Sequence, residues 1–190
     1  MAVQEKPLTA EDVQTLSQQP EYQGMRLDVI DGEVFALAPA GWRHGDIASE
    51  LDMAMRQFVK ANKLGRVTAA ETGYMLAPGT LLGPDVGFIA ASRIPAQPPE
   101  GYVPFAPDLA VEIISPGNTA SEMGRKIEKY IRHGTRLVWV VDPEAQRVDV
   151  YRPAEGQSAR VDFIDIDGTL DGGDVLPGFS LPLKDLFDWK

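Results

Sequence analysis

The spacing of apolar positions along the chain changes several times, and each change marks an element. Near the N-terminus Val13 and Leu16 stand three apart behind Thr9, Glu11 and Asp12, the pattern of a capped helix with an acid-rich first turn over residues 8–19. Leu27, Val29 and Ile30 then run into Asp31-Gly32, a pair that favours a hairpin turn, and Glu33 to Leu37 leads back. From His44 to Asn62 the period lengthens: Ile47, Leu51, Ala54, Met55 and Phe58 recur every three or four residues, which makes one face of a helix.

Beyond that helix the alternation is that of strands, over Val67 to Leu76 and Val86 to Ile89, before a loop that holds five prolines between Pro95 and Pro107. Leu109 to Ile114 is almost continuously apolar, as expected of a central strand covered on both faces, and Ser115-Pro116-Gly117-Asn118 ends it. Thr119 caps a second long helix that reaches His133 and stops at Gly134. Leu137 to Val141 reads as another buried strand, broken by Asp142-Pro143. Arg147 to Tyr151 and Arg160 to Ile166 form a half-exposed hairpin, and Asp167 to Asp174 is rich in Gly and Asp. Strands interleaved with two sheet-covering helices predict an α/β (α+β) domain: a mixed sheet flanked by helices, with extra hairpins at both ends.

A chain of 190 residues with 44% hydrophobic content suits one domain over residues 1–190 with a real core. Its net charge of −10 argues against coating nucleic acid or an anionic membrane through bulk electrostatics. Zero cysteines exclude disulfides, thiolate zinc sites and cysteine nucleophiles. No stretch of signal-peptide or membrane-spanning character is present, so a cytoplasmic protein without membrane contact is expected. With His44 and His133 the only histidines, any metal chemistry must rest on carboxylates.

That directs attention to Glu112, an acid in the middle of Leu-Ala-Val-Glu-Ile-Ile, where an ionised group is costly unless a cation or hydrogen-bond donors face it. Strand alternation puts Ala110, Glu112 and Ile114 on one face and Leu109, Val111 and Ile113 on the other. Asp85 opens the strand after Gly83-Pro84, so its carboxylate is delivered in a fixed direction. On the second helix Lys126 lies beside the apolar stripe of Met123, Ile127 and Tyr130, whereas Lys129 lies with Arg125 and Arg132. Each residue has an ordinary structural explanation: a salt bridge for Glu112, a turn cap for Asp85, a snorkelling lysine for Lys126. Together, two carboxylates on neighbouring strands and an inward lysine are the minimal kit for Mg²⁺-dependent phosphodiester hydrolysis. Glu33, His44 and Glu71 are candidate supporting residues, and His133 favours the dipole of its helix.

The ordered string Asp31-Gly32-Glu33, the His44 region, Gly83-Pro84-Asp85-Val86, Pro107 to Pro116, Lys126 with Tyr130, and Trp139-Val140-Val141-Asp142-Pro143 resembles the Uma-type restriction-endonuclease family of the PD-(D/E)XK nuclease superfamily. The resemblance spans residues 22–152, with 153–190 as a C-terminal extension. It implies a restriction-endonuclease-like core, Asp85 and Glu112 as ligands of Mg²⁺ or Mn²⁺, Lys126 as the catalytic lysine, DNA as substrate and a homodimer. The chain departs from the superfamily signature at Ile114, where the lysine two residues after the acid is expected. Two other readings stand beside a nuclease: a catalytically weak or inactive nuclease-fold module for binding or regulation, and an acid-rich hydrolase of a small phosphorylated substrate.

Charge is unevenly spread. From Asp142 onward there are eleven acids and five bases, while Thr119 to Arg136 holds five bases against two acids, a balance of +3. DNA contacts are therefore expected to be local and salt-sensitive, made by this basic helix and by Arg43, Arg56, Lys60 and Lys63.

Overall fold

Residues Leu109–Ile113 form a strand whose backbone is paired on both sides, and the rest of the chain is layered about it. The computed structural model describes residues 7–188. In chain order the elements are α1 (Ala10–Ser17), β1 (Arg26–Ile30), β2 (Glu33–Leu37), α2 (Trp42–Asn62), β3 (Gly65–Ala69), β4 (Tyr74–Ala77), β5 (Thr80–Leu82), β6 (Val86–Ala90), β7 (Leu109–Ile113), α3 (Ala120–Arg132), β8 (Leu137–Asp142), β9 (Arg147–Pro153), β10 (Ala159–Ile164), β11 (Thr169–Gly172), β12 (Leu176–Pro182) and α4 (Leu183–Leu186).

The six-stranded sheet runs β10-β9-β8-β7-β6-β3 and is mixed, since β7 and β8 pair in parallel and their neighbours are antiparallel. A parallel pair needs a long crossover, and α3 supplies it. A smaller sheet, β2-β1-β5-β4, stands apart from the first.

The period-2 alternation of β7 and β8 divides the core. Leu109, Val111, Ile113, Trp139 and Val141 pack with Ile47, Leu51, Met55 and Val59 of α2. Ala110, Val138 and Val140 face the opposite way, onto Met123, Ile127, Tyr130 and Ile131 of α3, with Ile30 and Leu82 arriving from the small sheet. α3 starts where the sequence indicates, and α2 starts at Trp42, two residues ahead of the His44 read from the spacing. Thr119 and Glu122 form a capping box, as do Thr9 and Asp12 at α1.

Two stretches differ from expectation. Val67 to Leu76 is not one strand: the backbone turns at residues 70–73, with Thr72 N–H donating to Ala69 O at 3.0 Å, and β4 leaves for the small sheet. Apolar residues on both sides hid the break, and a Pro78-Gly79 turn adds β5. The Gly- and Asp-rich end is also more than a tail. Its sparse apolar residues Leu170, Leu176, Phe179, Leu183 and Leu186 alternate inward and enter the α2 side of the core, so β11, β12 and α4 cover part of the large sheet.

Two glycines give opposite expectations. Gly65 has φ +155, and a Cβ there would collide with the Ile89 carbonyl and lie 2.9 Å from the Phe88 ring, so Gly65→Ala should cost about 1–3 kcal/mol of stability. Gly124 lies inside α3 with nothing within 4 Å of an added Cβ, so Gly124→Ala should add about 0.8–1 kcal/mol. Urea melts of the two variants check both signs.

Candidate active site

The two sheets meet over the α3 face of β7, and a cluster of charged side chains is buried at the junction. Alternation in β1 sends Leu27 and Val29 to a core beneath α1, leaving Arg26 and Asp28 on the same side as Ile30, toward α3. Asp85 is fixed against β7 by its own backbone, whose N–H donates to Val111 O at 2.8 Å. The first turn of α2 contributes His44, and α3 contributes Lys126 and Tyr130.

Asp85 meets three partners. Arg26 Nη1 lies 3.2 Å from Oδ1, while His44 Nε2 at 3.1 Å and the Ile113 backbone N–H at 2.8 Å share Oδ2. Glu112 has both oxygens engaged, accepting from Lys126 Nζ at 3.0 Å on Oε2 and from the Tyr130 hydroxyl at 2.8 Å on Oε1. Lys126 Nζ also sits 2.6 Å from Asp28 Oδ2, and the Gly83 N–H donates to Asp28 Oδ1 at 2.9 Å. Asp28, Asp85, Glu112 and Lys126 are all buried. Arg26 and His44 are the more exposed members, with 24% and 15% of their side chains accessible, so the cluster opens to solvent on their side.

The charges act on one another. Burial would raise the Asp85 carboxyl, but the His44 hydrogen bond and charge, Arg26 and the Ile113 amide together hold it below its usual value. Glu112 goes the other way: burial raises it and Lys126 opposes, but Asp85 and Asp28 add repulsion. Burial would lower the Lys126 ammonium, yet Glu112 and Asp28 outweigh that and raise it, so it stays charged. Burial and the Glu112 and Asp28 charges push the Tyr130 hydroxyl well up, so it remains a donor.

Among the described residues no three Asp, Glu or His side chains form a ready metal cage. The donor set nonetheless fits a hard divalent cation. Mg²⁺ is usually held by one or two carboxylates, completed by waters and substrate phosphates, and a carboxylate that accepts two hydrogen bonds still has lone pairs to offer. Asp85 and Glu112 would be those ligands, and the repulsion that Glu112 feels from Asp85 and Asp28 is what a divalent ion would relieve.

Of the residues singled out from sequence, Asp85, Glu112, Lys126 and His44 come together. Glu33 and Glu71 do not: Glu33 is exposed at the start of β2, paired with Arg125 at 2.7 Å, and Glu71 stands exposed in the turn after β3. Lys129 is no solvated partner of Arg125 and Arg132, because it is buried against Asp31 at 2.7 Å. The helix is likewise not a free basic island. Arg125 is paired with Glu33, Arg132 with Glu128 at 3.2 Å and Arg136 with Asp174. The sequence reading missed Asp28, Arg26 and the polar role of Tyr130. The available signal was an acid flanked by Leu27 and Val29, the same interruption that marks Glu112.

A family model described as "Uma2: Putative restriction endonuclease" matches residues 11–184, a longer span than the motif string. Among solved structures, the crystal structure of "a putative nuclease belonging to DUF820" from Anabaena variabilis ATCC 29413 is similar, with a TM-score of 0.78 and 26% identity, covering 96% of this chain and 99% of that one. No curated protein matches. Among the described residues no helix is long and apolar enough to cross a membrane.

The ion pairs of Asp85 generate a stability prediction. Asp85→Asn takes the ion pair from Arg26, which keeps the Ala70 carbonyl and the nearby Asp28 charge, and should cost about 1–3 kcal/mol at pH 7. Because the folded carboxyl titrates below its unfolded value of about 3.9, its stabilisation is present above that pH and is lost as pH falls through the folded value. The gap between wild type and Asp85→Asn in urea melts should therefore hold steady from pH 7 to about 4 and shrink below. A gap absent at pH 7, or unchanged at the lowest pH, would contradict these pairings.

Proposed function

The chain belongs to the Uma2 family, and from that premise and the geometry of the buried cluster we propose that it is a metal-dependent endonuclease that hydrolyses DNA phosphodiester bonds. The observation that carries this reading is Lys126 held 3.0 Å from Glu112 on a strand next to Asp85, deep between two sheets. Three buried carboxylates against two permanent cations make poor structural cement, since such pairs rarely outperform apolar packing.

Asp85 and Glu112 would hold Mg²⁺ or Mn²⁺. The ion, when bound, supplies a water of lowered pKa and offsets charge on the phosphate. The chain's own groups do the rest. Tyr130 fixes one Glu112 oxygen and therefore the direction of the carboxylate, and the Ile113 amide does the same for Asp85. Lys126 stays protonated and donates toward the attacking water or the oxygen that gathers charge. Arg26 and His44, at the open side, meet the substrate phosphate first.

DNA contacts in this reading are local and weaken steeply with salt, because net charge opposes them and the α3 bases already have acidic partners. The exposed Lys60 and Lys63 at the end of α2 are better placed to meet a phosphate backbone than that helix is. A homodimer would set two such sites against the two strands of a duplex. The second reading, a nuclease-fold binding module that cuts poorly or not at all, is favoured by the donors that already engage every carboxylate oxygen of Asp85 and Glu112 and by Ile114 in the usual lysine position.

The test is incubation of the purified protein with supercoiled and single-stranded DNA in Mg²⁺, Mn²⁺ or chelator. Metal-dependent nicking is expected, reduced by about 10²–10³ or more in Glu112→Gln and in Lys126→Met. Salt-sensitive binding without cleavage in any metal would favour the binding module, and cleavage undiminished in chelator would remove the metal.

A further inference from the structure

Lys126 stands between two acids on terms that differ. Toward Glu112 Oε2 it donates a formed hydrogen bond at 3.0 Å. Toward Asp28 Oδ2 it comes closer, 2.6 Å, but without hydrogen-bond direction, and that buried oxygen has no hydrogen bond from any described residue. Asp28 is fully buried, and the Gly83 amide pins its other oxygen at 2.9 Å, so it cannot turn to another donor. That oxygen's buried neighbour is the Lys126 ammonium itself, so one ammonium is shared by two buried acids.

We infer that Asp28 is a positioning residue that takes over Lys126 when Glu112 binds metal. The inference rests on the metal-dependent reading above. In the metal-free protein the ammonium occupies a Glu112 oxygen. On loading, Nζ needs only to rotate at the end of its stem to turn its existing ion pair with Asp28 Oδ2 into a directed hydrogen bond, since the two atoms are already in contact. A Glu112 oxygen is released to the ion, and Lys126 keeps its charge and its place beside the reacting phosphate. No buried carboxylate is left without a cation at either stage, which distinguishes this exchange from expelling the lysine to solvent. Without Asp28, Lys126 would have one acceptor, and the metal would have to compete for it.

The experiment is a double-mutant cycle on Mg²⁺ affinity, by calorimetry and by melting temperature against Mg²⁺, with the full chain as wild type, Asp28→Asn, Lys126→Met and both. Asp28→Asn should weaken Mg²⁺ binding at least about tenfold. Lys126→Met should bind Mg²⁺ at least as tightly as wild type, and adding Asp28→Asn to it should change affinity by less than about twofold. An equal loss in both backgrounds would make Asp28 a direct ligand, no loss in either would make it structural, and either result overturns the inference while leaving the metal site standing. A wild type that takes up neither Mg²⁺ nor Mn²⁺ overturns both. If Asp28→Asn alone fails to fold, the two Lys126→Met proteins decide: weaker Mg²⁺ binding in Lys126→Met, or a further loss on adding Asp28→Asn, overturns it.

Discussion

The structure turns on one demand, that the Glu112 carboxylate, set in the middle of a sheet covered on both faces, be given partners where water is excluded. The backbone of β7 is used up by β6 and β8, so partners must come from above the sheet. The β7–β8 crossover puts α3 there, and the helical period of four brings Lys126 and Tyr130 down on the same face. One lysine and one tyrosine cannot balance Asp85 as well. The small sheet closes the account by bringing Arg26 to Asp85 and Asp28 to Lys126. The cluster is thus the joint between the two sheets, and neither half completes it alone.

The same economy governs the surface around it. Lys129 and Arg125 of α3 reach the β1–β2 hairpin at Asp31 and Glu33, and Arg125 also donates to Ile30 O at 3.3 Å. Charge that reads in sequence as a basic patch is mostly spent clamping the hairpin to the helix, which keeps Arg26 and Asp28 facing the site. Exposed pairs of this kind contribute little singly, but Lys129 is buried and a network at one edge holds register. At a similar acid, Asp108, the Ala90 amide at 2.8 Å and Arg93 at 3.0 Å tie β6 to the start of β7. Asp108 is thus held by an amide and one guanidinium, the arrangement of a structural ion pair.

Much of this was legible because period and burial agree in the central elements. The two faces of β7, the inward turn of Lys126 and the Thr119 cap follow from spacing alone. The residues that escaped lie where one signal has two meanings. Arg26 and Asp28 alternate with Leu27 and Val29, as in any hairpin with a wet face, and only the arrival of α3 makes that face dry. Glu33 and Glu71 remained in solvent: α3 reaches Glu33 only through the Arg125 side chain, and Glu71 stands in the turn after β3. The C-terminal strands were obscured by composition: glycine and aspartate satisfy the turns, and the few apolar residues left are the ones the core takes.

Ile114 carries the last step. It shares the parity of Ala110 and Glu112 and packs with the apolar cluster under α3, so the place where the superfamily expects a lysine is filled with hydrocarbon. The positive charge comes from the helix instead, from Lys126, buried on α3 together with Met123 and Ile127. A strand lysine two residues from its acid is aimed by the pleat. A lysine reaching across from a helix has a long flexible stem and needs a second acceptor to hold its head in place. Asp28 meets that need, and it can do so only because β1, in a separate sheet, is brought against α3. With Lys126 in the part proposed for it, the small sheet becomes part of the site.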